Sequence, residues 1–128
     1  MKLVRSTPSE LGFFSELREW MSAQKNRLWI VTPFIDQVGV ALINSCGKAG
    51  DVRVITRRNR QIPDIRPGIS VKLREEIHVK LYIGDDSAYF GSANLTANSL
   101  MDNTELLLKF EKEDFVNRLA GYYMVLWG

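Results

Sequence analysis

Leu28-Trp29-Ile30-Val31 and Val52-Arg53-Val54-Ile55-Thr56 decide the fold class, because of what lies between them. Each is a short run rich in β-branched and aromatic residues, and Pro33 stops the first, so each reads as a strand. Asp36 can cap a helix running through Val40, Leu42 and Ile43, which Gly47 and Gly50 end. Strand, helix and strand with short connections form a βαβ unit, so the two strands are expected to be parallel.

Upstream, Thr7-Pro8-Ser9-Glu10 reads as a helix start, with Thr7 as the cap, Pro8 at the first helical position and Glu10 closing a capping box. Leu11, Phe14, Leu17 and Met21 recur at helical spacing, and Phe13 and Trp20 widen the stripe. Downstream, Arg58 to Gly68 reads as a loop with two prolines, and Ile69 to Leu73 alternates as a strand. His78 to Ile83 and Ala88 to Ser92 read as two strands around the turn Gly84-Asp85-Asp86-Ser87. Thr104 to Phe110 is an apolar strand, and Glu111 to Trp127 a final helix packing through Phe115, Leu119, Tyr122, Tyr123 and Leu126. The expected architecture is α/β: a mixed β-sheet flanked by helices on both faces, one domain spanning 1–128.

Composition narrows the class. The 128 residues are 45% hydrophobic and 25% charged, as in ordinary globular proteins. No apolar run approaches the roughly 20 residues that span a bilayer. No apolar stretch of a signal peptide follows Met1-Lys2-Leu3-Val4-Arg5-Ser6, so a cytoplasmic location is expected. Cys46 is the only cysteine, which excludes an intrachain disulfide and multi-cysteine zinc sites; it reads as a buried structural thiol. Trp20, Trp29 and Trp127 lie on apolar stripes and read as core or interface. The net charge is only +2, but Arg53, Arg57, Arg58, Arg60 and Arg66 cluster against a single Asp64.

The chemistry sits in His78-Val79-Lys80-Leu81-Tyr82-Ile83-Gly84-Asp85 and the following Gly91-Ser92-Ala93-Asn94. On strands, residues two apart share a face, which pairs His78 with Lys80 and Ser92 with Asn94. A hairpin centred on Asp86 sets Asn94 opposite His78 and Ser92 opposite Lys80, with Cβ atoms about 5 Å apart. Lysine offers a positive charge to phosphate oxygens, Ser and Asn offer neutral donors, and histidine can attack phosphorus or carry a proton near neutral pH. No acidic cluster adjoins these residues to hold magnesium, so no metal and no cofactor is expected.

These residues closely resemble the HKD signature of the phospholipase D superfamily: His, any, Lys, four residues, Asp, then Gly-Ser-any-Asn. Thr32-Pro33-Phe34-Ile35 after the first strand and Asn103-Thr104-Glu105 downstream are also similar to small single-motif members. One departure is a gap of five residues between Asp85 and Gly91 where six are usual, which implies a tighter turn. The resemblance implies a phospholipase D-like (HKD nuclease) fold and a metal-independent phosphodiesterase working through a phosphohistidine on His78. Lys80 and Asn94 would clamp the phosphate, Ser92 would add a donor, and Glu105 would hydrogen-bond the histidine. Asp85 matches the motif's acid, while its own reading is a turn residue capping its backbone.

The family mechanism uses two histidines and this chain has one, so a homodimer sharing one active site is implied. Arg57, Arg58 and Arg60 begin where ligands gather beyond parallel strands, and they either bind nucleic acid, DNA rather than RNA, or form a solvated loop. Three functions stay open: a nuclease, a lipid phosphodiesterase, and a nucleic-acid-binding or catalytic module of a larger restriction-type enzyme.

Overall fold

The βαβ unit forms as its residues dictate. In the computed structural model, which describes residues 2–6 and 12–128, it comprises β2 (Arg27–Val31), α2 (Gln37–Cys46) and β3 (Asp51–Thr56). The two strands are parallel, with Leu28 beside Val52 and Ile30 beside Val54. The Asp36 carboxylate accepts from the Gly39 N–H at 3.0 Å and so caps α2, while Gly47 closes its other end on the Ile43 carbonyl at 2.7 Å. The second Asp36 oxygen accepts from the Ala97 N–H at 2.8 Å. One side chain therefore starts a helix and ties down a loop from the other half of the chain.

Around this unit lie β1 (Lys2–Ser6), α1 (Gly12–Ala23), β4 (Ser70–Leu73), β5 (Lys80–Ile83), β6 (Ala88–Gly91), β7 (Glu105–Phe110) and α3 (Glu113–Trp127). They form one seven-stranded sheet in the order β1-β7-β6-β5-β2-β3-β4. The β2, β3 and β4 strands run parallel, and every other pairing is antiparallel. Both faces are covered. Phe13, Leu17 and Met21 of α1 and Val40, Leu42 and Ile43 of α2 pack on Leu28, Ile30, Val54, Tyr82 and Tyr89. Val116, Ala120 and Tyr123 of α3 pack on Val31, Ile55, Leu81 and Ile83. Strands buried on both faces read as unbroken apolar runs, which is why β2 does. Among the described residues no helix is long and apolar enough to cross a membrane.

Three points differ from the sequence reading, and one expectation goes untested. β1 pairs antiparallel with β7 at the sheet edge, and the two apolar residues Leu3 and Val4 are too few to announce a strand. The expected capping box at Thr7-Pro8-Ser9-Glu10, with Leu11 after it, lies outside the described residues. On α3, Phe115 and Tyr122 face solvent, and Val116, Ala120 and Tyr123 face the sheet. The rotation is set by Tyr123, stacked between Trp29 at 5.3 Å and Trp127 at 6.2 Å with its hydroxyl donating to the Ile30 carbonyl.

The third difference bears on the site. The Gly84 N–H donates to the Ser87 carbonyl at 2.8 Å, so the turn holds two residues, Asp85 and Asp86. The pairing axis falls between them, which sets Lys80 opposite Gly91 rather than Ser92. An even loop cannot give the odd-centred register expected from the motif. β5 also starts at Lys80, leaving His78 and Val79 ahead of the strand. Its partner β6 ends at Gly91, because Ser92 turns its N–H to the Leu106 carbonyl of β7 at 2.9 Å.

Candidate active site

Five strand ends meet at one end of the sheet: the carboxyl ends of β2, β3 and β6 and the starts of β5 and β7. His78 and Lys80 project from the start of β5, with His78 exposed and Lys80 half-buried. The Lys80 ammonium has no ion-pair partner among the described residues. Gly91 opposite it adds no side chain, and a Cβ there would run into the Leu106 carbonyl oxygen. That close approach of backbones is the physical reason for glycine in this position.

Arg57, just past β3, reaches inward to His78. Its Nε and Nη2 both donate to the Ile77 carbonyl, at 3.1 and 2.7 Å, and Nη2 also lies 2.8 Å from His78 Nδ1. A guanidinium has no acceptor, so Nδ1 accepts and the proton of the neutral ring rests on Nε2. Arg57, expected among the loop arginines that reach for nucleic acid, is held against the histidine in this structure. Arg58 and Arg60 are exposed, as expected of solvent-facing cations.

Asn94 is fixed by the turn after β2. Its Oδ1 accepts from the Phe34 N–H at 3.2 Å and lies 3.4 Å from the Thr32 hydroxyl, whose proton goes to the Phe34 carbonyl at 2.6 Å. The buried Thr32 Oγ1 also accepts from the Leu95 N–H at 2.9 Å. Consequently the acceptor end of Asn94 is used by the protein, and its Nδ2 donors make no hydrogen bond among the described residues. The loop beneath is held by Tyr82, whose hydroxyl donates to the Ala93 carbonyl at 2.6 Å. Burial pushes the Tyr82 phenol far above its ordinary range, so it stays a donor.

Three expected site residues do other work in this chain. The Ser92 hydroxyl donates to Glu105 Oε1 at 2.6 Å and accepts from the Leu106 N–H at 3.0 Å, so its partners in this structure lie on β7. Glu105 is bonded to Ser92 and, at 3.4 Å, to Asn103, and no hydrogen bond joins it to His78. Asp85 lies at the opposite end of β5, five residues or about 16 Å of extended chain from Lys80. Its carboxylate accepts from the N–H groups of Lys25, Asn26 and Arg27 at 2.7 to 2.9 Å. Burial opposes its ionisation, but these amides and the Arg27 charge outweigh burial and hold its pKa below the ordinary value. Asp85 is a clamp on the α1–β2 turn. Thr32 and Phe34 are the site residues that the sequence reading missed as such; the quoted Thr32-Pro33-Phe34-Ile35 element was their only signal.

A family model described as cardiolipin synthase, PLD-like domain, matches residues 17–127. The chain belongs to the phospholipase D-like family. No curated protein matches the sequence. Among solved structures, Nuc from Salmonella typhimurium, a phospholipase D family member, superposes with a TM-score of 0.81 at 15% identity over 98% of this chain and 93% of that one. NucT from Helicobacter pylori gives 0.79 at 23% identity, over 96% and 94%. TrmBL2, an archaeal chromatin protein with a described mode of DNA binding, gives 0.66 at 12% identity over 99% of this chain and 52% of its own. These likenesses establish a phospholipase D-like fold. Within that family, His78 and Lys80 occupy the start of β5 and Asn94 the loop after β6, around one open sheet end.

Proposed function

We propose that this phospholipase D-like chain is a phosphodiesterase that cuts nucleic acid, with His78 as its nucleophile. One observation carries the reading. An exposed imidazole, an ammonium with no ion-pair partner among the described residues and the donors of a fixed carboxamide, likewise unpartnered among them, share one open end of the sheet. Among the described residues no group of three or more His, Cys, Asp or Glu is arranged to hold a metal. Lys80 and Asn94 Nδ2 bind the non-bridging oxygens and stabilise the charge that grows on them. A guanidinium pairs more strongly with a phosphate than with a neutral imidazole, so arriving substrate draws Arg57 off Nδ1. The ring proton then passes through solvent from Nε2 to Nδ1, and Nε2 gains the lone pair that attacks.

Attack forms the phosphohistidine and expels an alcohol oxygen, which takes its proton from a second ring in the imidazolium form and leaves that ring neutral. Water then gives a proton to that imidazole, attacks phosphorus and frees His78. The chain has one histidine, so a second copy supplies the other across a two-fold axis. The exposed Phe90 and Leu106 beside Ser92 are apolar surface that such pairing covers. Nucleic acid, DNA first, is favoured by the exposed Arg58 and Arg60 and by the DNA binding described for TrmBL2, which shares the fold.

The test is incubation of labelled oligonucleotides and of phospholipid vesicles with the protein in excess EDTA, beside His78→Ala. The expected result is oligonucleotide cleavage by wild type alone. Cleavage confined to the lipid makes the chain a lipid phosphodiesterase, and undiminished activity of His78→Ala ends the proposal.

A further inference from the structure

We infer that Phe34 is a stacking step for a nucleobase next to the phosphate at His78, so that this site takes strands whose bases are unpaired there. The inference rests on the nuclease reading and adds a substrate feature to it. Phe34 is 55% exposed, yet it is not on a loose loop. Its N–H donates to Asn94 Oδ1 at 3.2 Å, and its carbonyl accepts from the buried Thr32 hydroxyl at 2.6 Å. Its neighbours Pro33 and Ile35 are buried. The Pro33 carbonyl accepts from the Arg57 N–H at 3.3 Å. An aromatic ring is thus held out to solvent by the same side chains that build the site.

One ring face is already taken. The Arg57 guanidinium carbon lies 5.1 Å from the Phe34 centroid, and Nη2 of that guanidinium lies 2.8 Å from His78 Nδ1. Ring and imidazole are therefore one guanidinium apart, a span on the order of one nucleotide. A cation against one face of a ring that is 55% exposed makes a platform for a flat, polar-edged π system. The group against the ring is the Arg57 guanidinium, while Thr32 and Asn94 hold the Phe34 backbone, and a charged neighbour suits a base better than an acyl chain. A base inside a duplex is stacked on both faces, so only an unpaired or splayed base can use the ring.

Binding is best read in the His78→Ala background, where nothing is cut, by fluorescence anisotropy of a labelled single strand and its duplex. Phe34→Leu keeps bulk and apolarity but removes the π face. It is expected to weaken single-strand binding about tenfold, while Phe34→Trp retains it and duplex binding stays unchanged. In active enzyme, wild type should cut slowly beside a single abasic nucleotide, and Phe34→Leu should cut abasic and normal positions alike. Equal single-strand affinities of Phe34→Leu and its parent overturn the inference. So does conversion of Phe34→Leu to a monomer in the ultracentrifuge, which makes the ring an interface residue. If wild type neither binds nor cuts any oligonucleotide, the nuclease reading itself has failed and takes this inference with it.

Discussion

At the scale of single residues, Asn94 divides its carboxamide between two duties. The oxygen accepts from the Phe34 N–H, and the nitrogen, which has no partner among the described residues, is the group that the proposed function turns to the phosphate. Asn94→Asp preserves the acceptor and replaces the donor with a charge that repels phosphate. Its melting temperature should stay within a few degrees of wild type, while kcat/KM falls about 100-fold or more. Asn94→Ala loses both ends, so it should lose activity and also roughly 1 kcal/mol of stability. Activity retained by a well-folded Asn94→Asp would mean that the amide nitrogen does not face the reaction. His78, Lys80 and Asn94 were legible in the sequence because short-range spacing fixes them on two neighbouring segments. Arg57 was not legible as the histidine's partner, because its bonds run to Ile77 and His78, twenty and more residues along the chain. Ser92 and Glu105 were read as substrate and histidine ligands because no spacing rule reveals that they bond each other across β6 and β7.

At the scale of elements, the hairpin turn explains both the shortened motif and the fate of its acid. A two-residue turn brings Asp85 over the start of β2, where three consecutive amides point at its carboxylate. Folding lowers the Asp85 pKa, so folding favours the ionised form. The stability this adds is present above the ordinary value of 3.8 and is lost as pH falls through the lowered folded value. Asp85→Asn should cost about 1–2 kcal/mol at neutral pH, as loss of a charged acceptor of backbone amides does. Urea unfolding measured from neutral pH downward should show the wild-type and mutant curves converging below that ordinary value. Curves that stay parallel would mean that Asp85 titrates alike in both states. The helix faces, the βαβ unit and the hairpin were legible because periodicity and turn residues are local signals. Register and helix rotation were not: one residue in the turn moves the first, and stacking of Tyr123 between Trp29 and Trp127 sets the second.

At the scale of the whole molecule, the deciding feature is a count. The chain holds one histidine, and the proposed displacement needs one imidazole to attack and another to protonate the leaving oxygen on the far side. A closed two-fold dimer satisfies both with the same residue, and it accounts for a site built at an open sheet end with His78 and Ser92 exposed. A mixed dimer of wild type and His78→Ala has a single imidazole and should be almost inactive, whichever chain carries it. When the two proteins are unfolded, mixed and refolded, activity per total protein should follow the square of the wild-type fraction. An equal mixture then keeps about one quarter of the starting activity, as random pairing into closed dimers requires. Sedimentation at assay concentration should give a species of twice the 14.6 kDa chain. A linear dependence on the wild-type fraction would show that each chain works alone. In that case the leaving oxygen must take its proton from water or from Lys80: Lys80→Arg, which cannot give up a proton in this range, abolishes turnover if Lys80 is the donor and merely slows it if water is.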